Sequence, residues 1–271
     1  MRSVVATVTT LVLDPRRLVG KYSLRAMEHV GRVALFSLET ARAFKEWRTW
    51  VPIAFEQGRH VGVGSLFIVL LTAAFAGAVT ALQAGYQFTA SLPVYIVGGL
   101  VVQTVILELG PVLTALLLAG RIGARYAAEL GTMRVTEQID ALESLGRSPM
   151  SHLILPRVVA GTVMLPVLII FADLIGILSG WWFTKTGSLQ ISTADFIYGA
   201  RYFFRPWDIW YSMTKALFFG LAISVIPCYV GFTTTQGAQG VGRATTSAVV
   251  SASVLILFLD AILAQILLPN A

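Results

Sequence analysis

The chain has 271 residues, of which 56% are hydrophobic and only 13% are charged. A soluble domain carries about 25% charged residues, so this composition excludes an ordinary soluble protein and indicates an integral membrane protein. The net charge of +6 does not indicate nucleic-acid binding. The basic residues concentrate before residue 60 and after Gly120, as they do in the cytoplasmic loops of membrane proteins.

The first sixty residues hold ten lysines and arginines, which predicts a cytoplasmic N-terminus. The apolar stretch at 3–13 is similar to a short signal core. Basic residues follow it without a clear small-residue cleavage site, so we predict that it is not cleaved. We interpret residues 1–40 as a basic cytoplasmic extension and residues 41–271 as the membrane domain.

The segment from Thr40 to His60 mixes apolar and basic positions. Phe44, Trp47 and Val51 share one helical face by their spacing. A basic helix with tryptophans is typical of a segment that lies in the membrane interface. The alternative is an ordinary helix on the cytoplasmic surface.

Five apolar runs follow, and about 20 apolar residues are enough to cross the hydrocarbon core as a helix. These unbroken runs lack the alternation of a transmembrane barrel, so we predict an all-α membrane protein. Five crossings from a cytoplasmic N-terminus place the C-terminus on the outer side of the membrane. An odd number of spans argues against two equal inverted halves. The runs are 63–83, 92–119, 153–183, 209–231 and 244–268.

Ionisable side chains inside spans are costly and mark functional sites by default. Asp173 and Asp260 lie well inside their runs, and packing and function stay open for both. Lys215 and Arg157 lie closer to the membrane edges, so we expect their long side chains to snorkel towards the surface.

Glu108 is distinguished by its neighbours in LELGPVLTALL. Pro111 removes a backbone donor and crowds the carbonyl of Leu107, and Gly110 adds backbone freedom. Such a weakened helix beside a carboxylate survives in a membrane only where it lines a cavity or the protein interior. We therefore predict that Glu108 lies at a cavity or a conformational hinge.

Other features point to packing rather than chemistry. The motifs GRHVG at 58–62 and GILSG at 176–180 place small residues four apart, which permits close helix contact. The single cysteine, Cys228, lies in an apolar run, and the three histidines lack ligand spacing. The loop at 237–243 is glycine-rich but lacks a GK[ST] ending. We expect no catalytic residue, metal or cofactor in this chain.

The segment TMRVTEQIDALESLGRSP predicts a short amphipathic helix, ended by Gly146 and Pro149. It carries both signs of charge and joins two spans. It is either a rigid handle for a cytoplasmic partner or a solvated loop helix. Its partial apolar stripe comprises Met133, Ile139, Leu142 and Leu145.

The block from ELGP at 108 to VVAG at 161 resembles the signature region of the MlaE/YrbE permeases. These are the membrane subunits of MCE-associated ABC lipid transporters. The resemblance continues through LPVL at 165–168, GRATT at 242–246 and FLDAIL at 258–263. It covers about residues 45–268, and the central block is its most specific part.

The resemblance implies a homodimer of five-span permeases, each with an N-terminal interfacial helix, that binds phospholipid or another membrane lipid between the two copies. The implied partners are cytoplasmic ABC ATPases, which bind the ATP and Mg, and a periplasmic hexamer of MCE-domain proteins. A STAS-domain protein accompanies some members. By motif position, the lipid cavity or hinge comprises Glu108, Gly110, Pro111, Arg243 and Asp260. The helix coupled to the ATPase carries Arg134, Glu137, Gln138, Asp140 and Glu143.

Two alternatives belong to other functional classes. An ion-gradient-driven secondary transporter would use Glu108, Asp173 and Asp260 as a relay. A membrane-embedded lipid enzyme would need a clustered nucleophile, base or metal set, and no such spacing occurs in the sequence.

Overall fold

The computed structural model describes residues 31–87, 93–187, 190–235 and 237–268. The signal-like stretch at 3–13 lies outside the described residues. The chain divides into two compact units, Met1–Arg42 and Ala43–Ala271. In the first unit, residues 31–42 are helical.

The second unit contains nine α-helices and no strand within its described residues, which confirms the all-α fold. The helices are α1 (Trp47–Gln87), α2 (Ile96–Thr104), α3 (Gly110–Leu118), α4 (Ala124–Val135), α5 (Gln138–Ser144), α6 (Leu155–Thr186), α7 (Thr193–Phe203), α8 (Pro206–Phe232) and α9 (Gly237–Leu267). Three π-helical segments continue them, at Val105–Leu109, Ala119–Gly123 and Met150–Ile154.

Five helical stretches are long and apolar enough to cross a membrane, which confirms the predicted number of spans. Each helix differs from its apolar run because hydropathy marks only the apolar part of a helix, whereas backbone hydrogen bonding continues beyond it. The five stretches are Trp47–Tyr86, Ile96–Val135, Met150–Thr186, Pro206–Phe232 and Gly237–Leu267.

The first span and most of the predicted interfacial segment form one continuous helix. α1 has 41 residues and contains Pro52. At 1.5 Å per residue it is about 60 Å long, roughly twice the thickness of the hydrocarbon core. A short 3₁₀ turn, Ala43–Lys45, precedes it. No helix break separates the two parts, and the interfacial position of the first turns stays a prediction.

The second span is irregular where the sequence predicted a weakened helix. At its first π segment, the N–H of Gly110 donates to the carbonyl of Val105, five residues earlier. Pro111 follows and has no N–H to donate. π turns inside helices occur frequently at functional sites, because they change which side chains face a neighbouring helix.

Glycines hold α1 against α6. A Cβ added to Gly77 would lie 1.9 Å from the carbonyl oxygen of Gly176, so the two backbones touch. A Cβ added to Gly58 would lie 3.3 Å from the side chain of Met164, and one added to Gly62 would lie 3.1 Å from it. Both small-residue motifs therefore serve helix packing, as the sequence predicted.

Successive spans alternate in direction, so the bundle has two ends. The end that we call the α5 end carries α5, the connection between α8 and α9, and the start of α1. The α7 end carries α7 and the last turn of α9. The indole N–H of Trp207, at the start of α8, donates to the carbonyl of Leu267 at 3.1 Å and joins those two helix ends.

Candidate functional site

Lys215 lies between two carboxylates from different spans. Its Nζ is 2.8 Å from Oε1 of Glu108 in the second span and 2.7 Å from Oδ1 of Asp260 in α9. The lysine side chain is fully buried, whereas Glu108 is 42% and Asp260 22% exposed. We call these three residues the Lys215 cluster. Its cation is enclosed by protein, and its carboxylates reach the surface of the subunit.

The irregular backbone of the second span supplies a further partner. Nζ of Lys215 donates to the carbonyl of Leu107 at 3.2 Å. In a regular helix that carbonyl would accept from residue 111, but Pro111 has no N–H. An ammonium group has three protons to donate, and here three oxygens surround it. The proline therefore creates the acceptor that helps to hold the buried lysine.

Tyr211, one turn before Lys215 on α8, completes this environment. Its hydroxyl donates to Oε1 of Glu108 at 3.1 Å, and Nζ of Lys215 lies 4.5 Å from its ring centroid. Aromatic faces attract cations at this distance. The expectation that Lys215 snorkels is wrong. Two features of the sequence could have revealed the role of Lys215. Pro111 cannot donate to the carbonyl of Leu107, and Glu108 and Asp260 lie at a similar depth of their predicted spans.

Asp173 lies beside the cluster but is not part of it. It is buried in α6, and a Cβ added to Gly110 would meet its Oδ1 at 1.8 Å. The ion pairs of the described residues join Glu108 and Asp260 through Lys215 and do not include Asp173. Asp173 therefore packs against the π segment.

A second charged group lies towards the α5 end. Nη2 of Arg157 is 3.0 Å from Oε2 of Glu129, and its Nη1 donates to the carbonyl of Leu153 at 2.7 Å. Arg125 pairs with the other oxygen of Glu129 at 2.6 Å. The side chain of Arg157 is buried, so the expectation that it snorkels is wrong. Its guanidinium links α6 to the second span instead.

The predicted amphipathic helix is divided in two. α4 ends at Val135 and α5 begins at Gln138, and Glu137 between them has a left-handed φ of 58°. Gly146 ends the segment with a φ of +72°, a conformation that glycine adopts without strain. Met133 and Arg134 therefore belong to the last turn of the second span.

α5 is fastened to the second span at two points. Ile139 is fully buried, and Arg134 of α4 forms an ion pair with Asp140 of α5. The guanidinium of Arg134 also lies 5.8 Å from the ring centroid of Phe232. The exposed surface of α5 and its flanks includes Glu137, Gln138, Glu143 and Leu145.

Arg243 lies far from the Lys215 cluster. It is exposed in the second turn of α9, 17 residues before Asp260, which corresponds to about 26 Å along the helix axis. It lines a shallow cavity of about 700 Å³ with Gly242, Thr246 and Ser247. The structure brings Glu108, Gly110, Pro111 and Asp260 together and places Arg243 towards the α5 end.

An uncovered apolar stripe runs along α9 beside the cluster. Val250, Val254, Leu257 and Phe258 are each more than half exposed and recur at helical spacing. Asp260 belongs to the same helix. Among the described residues there is no group of three or more histidine, cysteine or acidic side chains that could hold a metal ion.

Comparison with known proteins agrees with the resemblance found in the sequence. The model of the family Permease MlaE matches residues 54–266. A probable ABC transporter permease protein of Rickettsia prowazekii (strain Madrid E) is 37% identical over 256 residues, which cover 94% of this chain and 98% of that protein.

Two further relatives carry names that mention a lipid. The intermembrane phospholipid transport system permease protein MlaE of Haemophilus influenzae is 34% identical, with 92% of this chain and 95% of that protein covered. The chloroplastic protein trigalactosyldiacylglycerol 1 of Arabidopsis thaliana is 39% identical over 83% of this chain and 63% of its own length. The resemblance is thus confirmed, and this chain, a multi-pass membrane permease of the ABC transporter class, belongs to the MlaE permease family.

Proposed function

We propose that the chain is the permease of an ATP-driven phospholipid transporter, in which two copies enclose a lipid cavity at the α9 face. The observation that carries this proposal is the Lys215 cluster, a group of charges at the edge of an otherwise apolar surface. Acyl chains need an apolar wall, whereas a headgroup needs charge or hydrogen bonding. The name of the Haemophilus relative supports a phospholipid as the substrate.

The α9 stripe supports the second copy as its occupant. Most of α9 is uncovered by the rest of the subunit. Glu108 and Asp260 keep 42% and 22% of their side-chain surface exposed beside this helix. A symmetric contact of two stripes would enclose both clusters in one cavity, because a two-fold interface uses the same patch on each subunit.

The second span supports coupling to a separate cytoplasmic ATPase, which would bind the ATP and Mg. One helical stretch runs from the π segment at Glu108 to Val135, and α5 is fastened to its end by Ile139 and the pair of Arg134 with Asp140. A push on the exposed surface of α5 would reach the π segment at Glu108 through this continuous helical stretch, which includes the second π segment at Ala119–Gly123. Glu137, Gln138 and Glu143 are the side chains that we place in the ATPase contact.

The remaining partners follow from the family resemblance. With the α5 end in the cytoplasm of a bacterial inner membrane, the α7 end faces the periplasm. An MCE-domain hexamer would dock at that end, and a STAS-domain protein would accompany the ATPase. The N-terminus would then be cytoplasmic and the C-terminus periplasmic.

The test is lipid transfer by the complex reconstituted in liposomes with its ATPase and MCE partner. ATP should drive transfer of a fluorescent phospholipid with the unchanged chain, and Glu108→Gln should reduce it. Transfer that needs a proton or sodium gradient and no ATP would contradict the proposal and favour the ion-relay alternative. Among the described residues Asp173 forms no ion pair with the Lys215 cluster, which argues against that relay.

A further inference from the structure

An apolar groove lies at the α7 end, on a different face of the bundle from α9. It has a volume of about 520 Å³, within the range of sites that hold small molecules. Val102 and Ile106 of the second span, Ile177 and Trp181 of α6, and Phe196 of α7 form its walls. We call it the α7 groove. None of the Lys215 cluster residues lines it.

Close backbone contacts fix α7 as one wall of this groove. A Cβ added to Gly199 would lie 1.7 Å from the carbonyl oxygen of Tyr95, and one added to Gly98 would lie 2.4 Å from that of Phe196. The side-chain amide of Gln103 also donates to the carbonyl of Phe203 at 3.1 Å. The groove is therefore a built feature of the bundle.

Basic side chains stand at its margin. Arg201 lines the groove, is exposed, and forms no ion pair with a described residue. The ammonium of Lys185 lies 5.7 Å from the ring centroid of Trp181, a wall residue. The nearest acid along α7, Asp195, accepts a hydrogen bond from the hydroxyl of Ser192 at 2.7 Å. The margin thus presents two cations, Arg201 and Lys185, and neither forms an ion pair with a described residue.

The chemistry of this arrangement matches a membrane lipid. An unbroken apolar wall suits an acyl chain, and a guanidinium pairs with phosphate oxygens through two parallel hydrogen bonds. Trp181 and Trp182 lie at the same end of α6, as tryptophans do at a membrane interface. A soluble phosphate compound would leave the apolar wall uncovered.

We propose that the α7 groove binds one phospholipid of the surrounding leaflet, with an acyl chain along the groove and the phosphate on Arg201. This lateral lipid site is separate from the cavity at α9 and does not depend on the transport activity. Because Ile106 belongs to the π segment that also carries Glu108, the bound lipid touches the irregular part of the second span.

The experiment uses the full chain in nanodiscs that contain phosphatidylglycerol with a photoreactive group at the end of one acyl chain. After illumination, mass spectrometry locates the attached lipid. Labelling should concentrate on the groove walls in α6 and α7. Arg201→Ala should lower it about tenfold, since a charge-assisted hydrogen bond is lost. Ala200→Trp, which fills the groove, should abolish it. Arg205→Ala, an exposed arginine that does not line the groove, is the matched control.

Labelling spread evenly around the bundle, or unchanged in Arg201→Ala and Ala200→Trp, would overturn the proposal. Loss of groove labelling when the complex is purified with its native partners would also overturn it, because a partner segment would then be the occupant. Unfolding temperatures of all variants exclude a general loss of structure as the cause. Labelling of the chain alone in nanodiscs is independent of the proposed transport function, since neither ATP nor the ATPase is present in that arm of the experiment.

Discussion

The substitution Lys215→Met removes the cation of the Lys215 cluster and keeps a similar side-chain length. It leaves Glu108 and Asp260 close together without a counter-charge and removes the hydrogen bond that Lys215 donates to the carbonyl of Leu107. Breaking a buried ion pair costs about 3–5 kcal/mol. We reduce this to about 2 kcal/mol because Glu108 is more than a third exposed and so reaches solvent.

The lost hydrogen bond to the carbonyl of Leu107 adds about 1 kcal/mol, so the expected loss of unfolding free energy is about 3 kcal/mol. The assay is equilibrium unfolding of the purified chain in mixed micelles, followed by intrinsic tryptophan fluorescence. Lys45→Met removes an exposed lysine of the 3₁₀ turn Ala43–Lys45 and serves as the control, with an expected change within about 0.5 kcal/mol.

A compensating variant tests whether Lys215 acts as the counter-charge of Glu108 and Asp260. The triple variant Glu108→Gln, Lys215→Met, Asp260→Asn removes all three charges, and replacing a buried ionic group by uncharged residues is often near neutral. It should recover most of the loss seen in Lys215→Met. A single variant as stable as the control, or a triple variant no better than the single one, would refute the view that Lys215 neutralises these two carboxylates.

Three further predictions concern packing and coupling. Gly77→Ala should prevent normal folding, because its Cβ would overlap the carbonyl oxygen of Gly176, and the protein should aggregate in size-exclusion chromatography. Gly120→Ala is the control and should fold normally, because no atom lies within 4 Å of the added Cβ. Equal behaviour of the two variants would contradict the contact between Gly77 and Gly176. Gly110→Ala should lower the unfolding temperature, since the added Cβ meets Oδ1 of Asp173 at 1.8 Å. Adding Asp173→Ala should largely restore the unfolding temperature in the double variant. If the changes in unfolding temperature of the two single variants simply add in the double variant, this clash is ruled out. Glu137→Lys should lower ATP-driven lipid transfer several-fold without changing the unfolding temperature, because it reverses the charge of an exposed side chain at the proposed ATPase contact. Lipid transfer at the unchanged rate would show that Glu137 is not part of that contact.

The sequence by itself determined the features that depend on local chemistry. Five apolar runs are enough to specify five spans, because the cost of an unpaired backbone in lipid makes each run helical. The weakened helix at Glu108 to Pro111 follows from the missing proline N–H alone, and the structure shows it as a π segment. Family membership followed from the motif block and needed no tertiary information.

Only the tertiary structure decided which charges meet. Lys215 and Glu108 are 107 residues apart, and their contact depends on the rotation of two helices about their axes, which hydropathy does not encode. The same rotation joins Arg157 to Glu129 and turns Asp173 towards Gly110 instead of Lys215. A long basic side chain snorkels only if no acid is within reach. The neighbouring helices therefore decide whether such a side chain reaches the surface or stays in the interior. In this protein Lys215 and Arg157 were expected at the membrane surface, but acids on neighbouring helices bind them in the interior, where they link different spans.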